Sequence, residues 1–95
     1  MATDLFTLKD RVALVTGGSR GIGRMIAAGF IAQGARVYIS ARKAEACEKT
    51  ATELSKGGGS CVALPADAST VEGAQALAKR YLAREKKLDI LVNNA

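Results

Sequence analysis

Short apolar runs and helical apolar stripes alternate along the chain. Arg11-Val12-Ala13-Leu14-Val15-Thr16 is an unbroken run that stops at Gly17-Gly18, the pattern of a strand buried on both faces. Ile22, Met25, Ile26, Gly29 and Phe30 then recur at spacings of three and four as far as Gly34, which predicts a helix closed by that glycine. Ala35 to Ser40 reads as a second strand. Ala44, Cys47, Ala51 and Leu54 mark the inner stripe of a second helix, ended by Gly57-Gly58-Gly59. Cys61-Val62-Ala63-Leu64 is a third strand closed by Pro65, which leaves Asp67 just past its carboxyl end. Ser69 and Glu72 have capping-box spacing, ahead of a third helix with the stripe Val71, Ala74, Leu77, Ala78 and Tyr81 that is expected to reach Lys86. Leu88 to Val92 is a fourth strand, followed by Asn93-Asn94-Ala95.

Strict alternation of strands and helices implies an α/β fold with a parallel sheet, right-handed crossovers and helices on both faces. The expected strand order is three, two, one, four, with the topological switch between the first and fourth strands and the ligand crevice beside it. An apolar parallel strand left as a bare edge exposes its backbone groups, so the fourth strand is expected to need another neighbour. Residues 1–95 are therefore read as the N-terminal part of a single domain, cut after the fourth strand.

Composition narrows the function classes. With 48% hydrophobic residues the chain has ample core material, and disorder is not the expectation. No apolar run approaches the ~20 residues of a membrane span, so no membrane partner is expected. The acid at Asp4 and the lack of a following apolar stretch argue against a signal peptide, and a cytoplasmic location is expected. Cys47 and Cys61 form no CxxC pair and the chain has no His, so reduced, packed thiols and no metal site are expected. The net charge of +5 calls for an anionic partner. Lys79, Arg80, Arg84, Lys86 and Lys87 crowd one helix and read as a solvated face, and 4% aromatic residues offer little for bases to stack on. Nucleic acid is not the expected partner.

The densest chemical signal is Thr16-Gly17-Gly18-Ser19-Arg20-Gly21-Ile22-Gly23, a glycine turn between a strand and a helix. Such a turn lets the backbone bend off the strand, approach a pyrophosphate and pack the helix closely, with the helix amino end facing the anion. A mononucleotide phosphate loop would need Gly-Lys-Ser/Thr, and Arg24-Met25 follows instead. A methyl-donor-binding domain would ordinarily place an acid at the end of the second strand, and a purely structural turn is the remaining alternative. That strand ends in Ser40-Ala41-Arg42-Lys43, with no acid to meet a free ribose 2′-hydroxyl. Arg42 offers a planar fork to a 2′-phosphate and Arg20 a second positive group, so NADP(H) is the preferred cofactor. The bland alternative is that Arg42 and Lys43 merely open a solvated helix. Asp67 is either a turn residue or a partner for an adenine amino group. Asn93 and Asn94 suit backbone satisfaction at a strand end.

Thr16-Gly17-x-x-x-Gly21-x-Gly23, Asp67 and Asn93-Asn94-Ala95 together resemble the N-terminal motifs of the short-chain dehydrogenase/reductase family, over nearly the whole chain. Within that family, Ala13 to Thr16, Ser19 to Gly23 and Leu88 to Ala95 are most similar to 3-oxoacyl-acyl-carrier-protein reductases. The resemblance implies a Rossmann-like doubly wound sheet, of which this chain supplies four strands and three helices in three layers. It implies that the turn Gly17, Gly18, Ser19, Arg20, Gly21, Ile22 and Gly23 meets the cofactor's phosphates, Arg42 its 2′-phosphate, Asp67 and Ala68 its adenine, and Asn94 the adenosine ribose, while Asn93 ties central strands together. It further implies NADPH-dependent reduction of a ketone, a 3-oxoacyl thioester of fatty acid biosynthesis, on a small-molecule or acyl-carrier-bound substrate, by a homotetramer. The family's catalytic Tyr is followed four residues on by Lys. Here Tyr38 is followed by Arg42 and Tyr81 by Glu85, so no catalytic residue is named in this chain. The rival reading is a non-catalytic dinucleotide-binding or sensing module.

Overall fold

The computed structural model describes residues 7–94. Strands β1 (Val12–Thr16), β2 (Arg36–Ser40), β3 (Ser60–Ala63) and β4 (Ile90–Asn93) alternate with helices α1 (Gly21–Ala32), α2 (Ala44–Ser55) and α3 (Val71–Leu82). The sheet is parallel throughout, in the expected order β3-β2-β1-β4. Val15 lies beside Ile39 on one side and Val92 on the other, so β1 is central and all five of its residues are buried.

Alternate residues of the strands feed two cores. Ala13, Val15, Val37, Ile39 and Cys61 meet Ala27 of α1 and Cys47 and Ala51 of α2 on one face. Val12, Leu14, Tyr38 and Leu64 meet Leu77 and Tyr81 of α3 on the other. The result is a three-layer, Rossmann-like α/β unit. Both cysteines are free and buried, and burial raises both thiols, Cys61 to about 11. No group of His, Cys, Asp and Glu suited to a metal ion occurs among the described residues. No helix among them is long and apolar enough to cross a membrane.

Several expected details are corrected. In α1 the residues turned to the sheet are Gly23 and Ala27, with Ile26, Phe30 and Ile31 partly buried. Ile22 and Met25 are 68% and 72% exposed. Two overlapping helical stripes exist in that sequence, and close docking selects the one with small residues. In α3 only Leu77 and Tyr81 of the expected stripe are buried, while Val71, Ala74 and Ala78 are exposed. The α3 N-cap is Thr70, whose side chain accepts from the Gly73 amide at 2.9 Å, because Ser69 is engaged by Asp67. That helix ends at Leu82 rather than Lys86. The basic cluster in its last turn and just beyond is exposed but not merely solvated. Arg80 donates to the Pro65 carbonyl at 2.5 Å, and Lys87 donates to the Asp10 carbonyl and pairs with Asp89.

The chain just beyond α3 is held by a buried acid. Glu85 is 8% exposed and takes Arg36 Nε and Nη2 at 2.6 and 2.7 Å, and the Tyr38 hydroxyl at 2.6 Å. The Arg36 hydrogen bond holds the Glu85 carboxyl below its usual range, whereas burial and then Glu85 push Tyr38 up to about 12. A depressed folded-state pKa contributes stability above the unfolded value, and that contribution is lost as pH falls through the folded one. Glu85→Gln is therefore expected to cost about 2 kcal/mol at neutral pH, from charged hydrogen bonds in a buried setting. Urea midpoints of the two proteins should converge as pH falls from ~5 toward ~3. A gap that stays constant across that window would show that the carboxylate's charge contributes nothing.

Candidate functional site

The carboxyl ends of β1 and β2 lie side by side, with Thr16 opposite Ser40. From there the chain folds back, and the Gly17 and Gly18 amides both donate to the Ser40 carbonyl, at 2.7 and 3.3 Å. Gly17 has φ of +67°, and a Cβ on it would stand 2.2 Å from the Asn94 carbonyl oxygen, so handedness and space both require glycine. At Gly23 a Cβ would stand 2.1 Å from the Gly17 carbonyl oxygen and 2.8 Å from the Asn94 amide nitrogen. Helix α1 thus begins in direct contact with the turn.

The start of α1 has no side-chain cap and no acid in its first turn. The amides of Gly21, Ile22 and Gly23 consequently have no hydrogen-bond acceptor among the described residues. By contrast α3 is capped by Thr70 and carries Glu72 in its first turn. Open amides and the positive end of the helix dipole together suit an anion.

A cleft of about 680 Å³ opens beside this turn. Gly17, Ser19, Arg20, Gly21, Arg42, Asp67, Ala68 and Asn94 all line it. Gly18, Ile22 and Gly23 do not. A Cβ on Gly18 would meet the Ile39 side chain, Gly23 packs on the turn, and the Ile22 side chain faces outward. Thr16, Ser40, Lys43 and Ser69 also line the cleft and were not singled out from the sequence as ligands. Ser40 Oγ is buried without a hydrogen-bond partner among the described residues. Nothing in the sequence marks it beyond its place at the end of an apolar strand.

Asp67 supplies the one carboxylate among the residues lining the cleft. Its Oδ1 accepts the Ser69 hydroxyl at 2.5 Å and the Ser69 amide at 3.0 Å, an Asx-type turn. Those bonds, with a smaller contribution from the Arg42 charge, hold the carboxyl below its usual range. On the far side, Thr16 Oγ1 accepts the Asn94 amide at 3.0 Å and lies 3.1 Å from Asn93 Oδ1 and 3.3 Å from the Val92 carbonyl oxygen, sharing its single proton between those two. Asn93 thereby joins β4 to β1, and Asn94 lies along the turn.

Tyr38 and Tyr81 belong to the other core, with ring centroids 5.2 Å apart, and neither lines the cleft. A second hollow of about 450 Å³ lies at the opposite end of the sheet, among Lys9, Arg11, Gly34 and Gly57–Ser60. It contains none of the expected site residues, and in α/β sheets ligands bind at the carboxyl ends of the strands. The glycine-turn cleft is the candidate site.

A parallel sheet of this order, with a glycine turn and an open helix start at the switch point, defines the class of Rossmann-like α/β proteins. Residues 11–95 match the short chain dehydrogenase family, and the chain belongs to that family. It is 59% identical over 90 residues to the rhamnolipids biosynthesis 3-oxoacyl-[acyl-carrier-protein] reductase of Pseudomonas aeruginosa, an alignment that covers 95% of this chain and 35% of that protein. Among solved structures it matches the Pseudomonas aeruginosa RhlG/NADP active-site complex with a TM-score of 0.91 and 59% identity, over 95% of this chain and 36% of the other. It also matches a hydroxysteroid dehydrogenase from Escherichia coli, with a TM-score of 0.91 and 35% identity, over 98% of this chain and 40% of the other. The chain thus spans about a third of the length of the reductase it resembles.

Proposed function

We propose that this chain is the N-terminal, NADP(H)-binding part of a ketone reductase whose substrate is a 3-oxoacyl thioester. The observation that carries the cofactor reading is the end of β2. Ser40-Ala41-Arg42 puts no carboxylate at that strand end, where one would repel a 2′-phosphate, and Arg42 lines the same cleft as Gly21 at the open start of α1. The residues fit the group. The amides at the start of α1 and in the turn would receive the pyrophosphate, Arg42 with Arg20 the 2′-phosphate, the Asp67-Ala68 segment the adenine, and Asn94 the adenosine ribose. NADPH bound there supplies a hydride, and this part of the protein holds and orients it.

Identity to a 3-oxoacyl reductase supports the substrate class. A homotetramer and a cytoplasmic location belong to the same proposal and rest on the family resemblance. The test is fluorescence titration of the intact protein with NADPH and NADH, followed by an NADPH-consumption assay with a 3-oxoacyl thioester. Binding of NADPH at least ~10-fold tighter than NADH is expected from a charge-assisted Arg42–phosphate contact. Equal affinities would overturn the cofactor reading, and NADPH binding without turnover of the thioester would overturn the substrate.

A further inference from the structure

Helix α2 hydrogen-bonds to the glycine turn through a side chain. Thr50 is 4% exposed, and its hydroxyl donates to the Ser19 carbonyl at 2.8 Å. Among the described residues this is the sole side-chain hydrogen bond to residues 17–21. We propose that Thr50 is a positioning residue for the phosphate-binding turn, setting the orientation of the Ser19–Arg20 peptide and through it the affinity for the pyrophosphate. This inference rests on the NADP(H) reading of the cleft and deepens it.

Three observations carry it. First, a hydroxyl inside a helix can bond back to its own helix, as Thr52 does to the Glu48 carbonyl at 3.0 Å. Thr50, in the same helix, instead reaches the turn that precedes α1. Second, the hydroxyl is itself oriented. Arg24 Nη1 approaches Thr50 Oγ1 at 3.4 Å and Glu53 Oε1 at 3.0 Å. With Arg24 donating to its oxygen, the hydroxyl proton is directed to Ser19. Third, a trans peptide places its C=O and N–H on opposite sides. Holding the Ser19 carbonyl toward α2 therefore turns the Arg20 amide away from α2, and Ser19 and Arg20 both line the cleft. Without that anchor the peptide can rotate, and the amide loses its fixed direction.

The experiment compares Thr50→Val, which keeps the shape and removes the hydroxyl, with Thr50→Ser, which restores it. Thr50→Ala is the second hydroxyl-free variant should Val strain the core. Each is titrated in the intact protein with NADPH and with adenosine, which carries neither the pyrophosphate nor the 2′-phosphate and engages only the adenine and ribose part of the cleft. Thr50→Val is expected to weaken NADPH roughly five- to tenfold, as loss of one oriented hydrogen bond should, while leaving adenosine unchanged and Thr50→Ser close to the parent. Equal weakening of both ligands would mean general loosening and overturn the proposal. Unchanged NADPH affinity in Thr50→Val, with the parent binding normally, would overturn it alone. A parent that binds no NADPH would overturn the cofactor reading first, and this proposal with it.

Discussion

Gly23→Ala is expected to lower NADPH affinity by a factor of ~100 or more, because an error of about 1 Å in a binding element is enough for such a loss. The new Cβ would stand 2.1 Å from the Gly17 carbonyl oxygen. That oxygen belongs to a turn whose own amides are tied to the Ser40 carbonyl, so it cannot yield cheaply. Helix α1 must slide outward instead and take its open amides with it. Helix propensity works the other way, since alanine is favoured over glycine by ~1 kcal/mol in a helix interior. Overpacking against rigid backbone costs about 1–3 kcal/mol and outweighs it. The measurement is NADPH titration alongside urea unfolding. Parent-like affinity would show that the turn relaxes freely and that the close packing has no bearing on binding.

Arg42→Glu should separate the two nicotinamide cofactors. It removes a guanidinium fork and places a carboxylate next to the 2′-phosphate, with Asp67 already in the same cleft. Loss of a charge-assisted contact and introduction of a like charge add, and a fall of ~100-fold or more in NADPH affinity is expected. NADH lacks that phosphate, and a carboxylate at this position can accept from its ribose 2′-hydroxyl. Its affinity should change less than about threefold or improve, since an accepted hydrogen bond contributes only ~1 kcal/mol net. Titration of the variant with both cofactors decides the matter. An equal loss for both would withdraw Arg42 from the 2′-phosphate site.

The sheet and the turn were legible because their signals are local and redundant. An unbroken apolar run such as Val12–Val15 has few alternatives, and a glycine group between strand and helix has fewer still. The alternation of elements implies a parallel sheet but not its order, the expected order is the usual one for such folds, and the structure has that order. Helix faces were less legible. In α1 the stripe of larger residues outweighed the one with Gly23 and Ala27, although close approach to the sheet needs the small ones. In α3 the alanines carry no directional weight, and Ser69 and Thr70 are equally good caps until Asp67 claims one of them.

The candidate cleft was legible where its lining consists of backbone and charge, as at Gly17, Arg42 and Asp67. Polar groups whose partners come from distant segments were not. Thr50 sits at helical spacing from Cys47 and Leu54, inside the buried stripe, and that position was the available signal. Glu85 follows Tyr81 by one helical turn and pairs with a residue 49 positions away. No periodicity could disclose that partner.

The register of β4 also bears on how the molecule assembles. Ala13 pairs with Val37 nearby in the chain but with Ile90 at the far end of the described residues. Closing the longer loop costs more chain entropy. The wall of the cleft that carries Asn94 therefore depends on a pairing that closes a longer stretch of chain than the β1–β2 pairing beneath the glycine turn. A ligand that needs both walls binds only chains in which that long-range pairing is made, and so shifts the equilibrium toward the completed sheet.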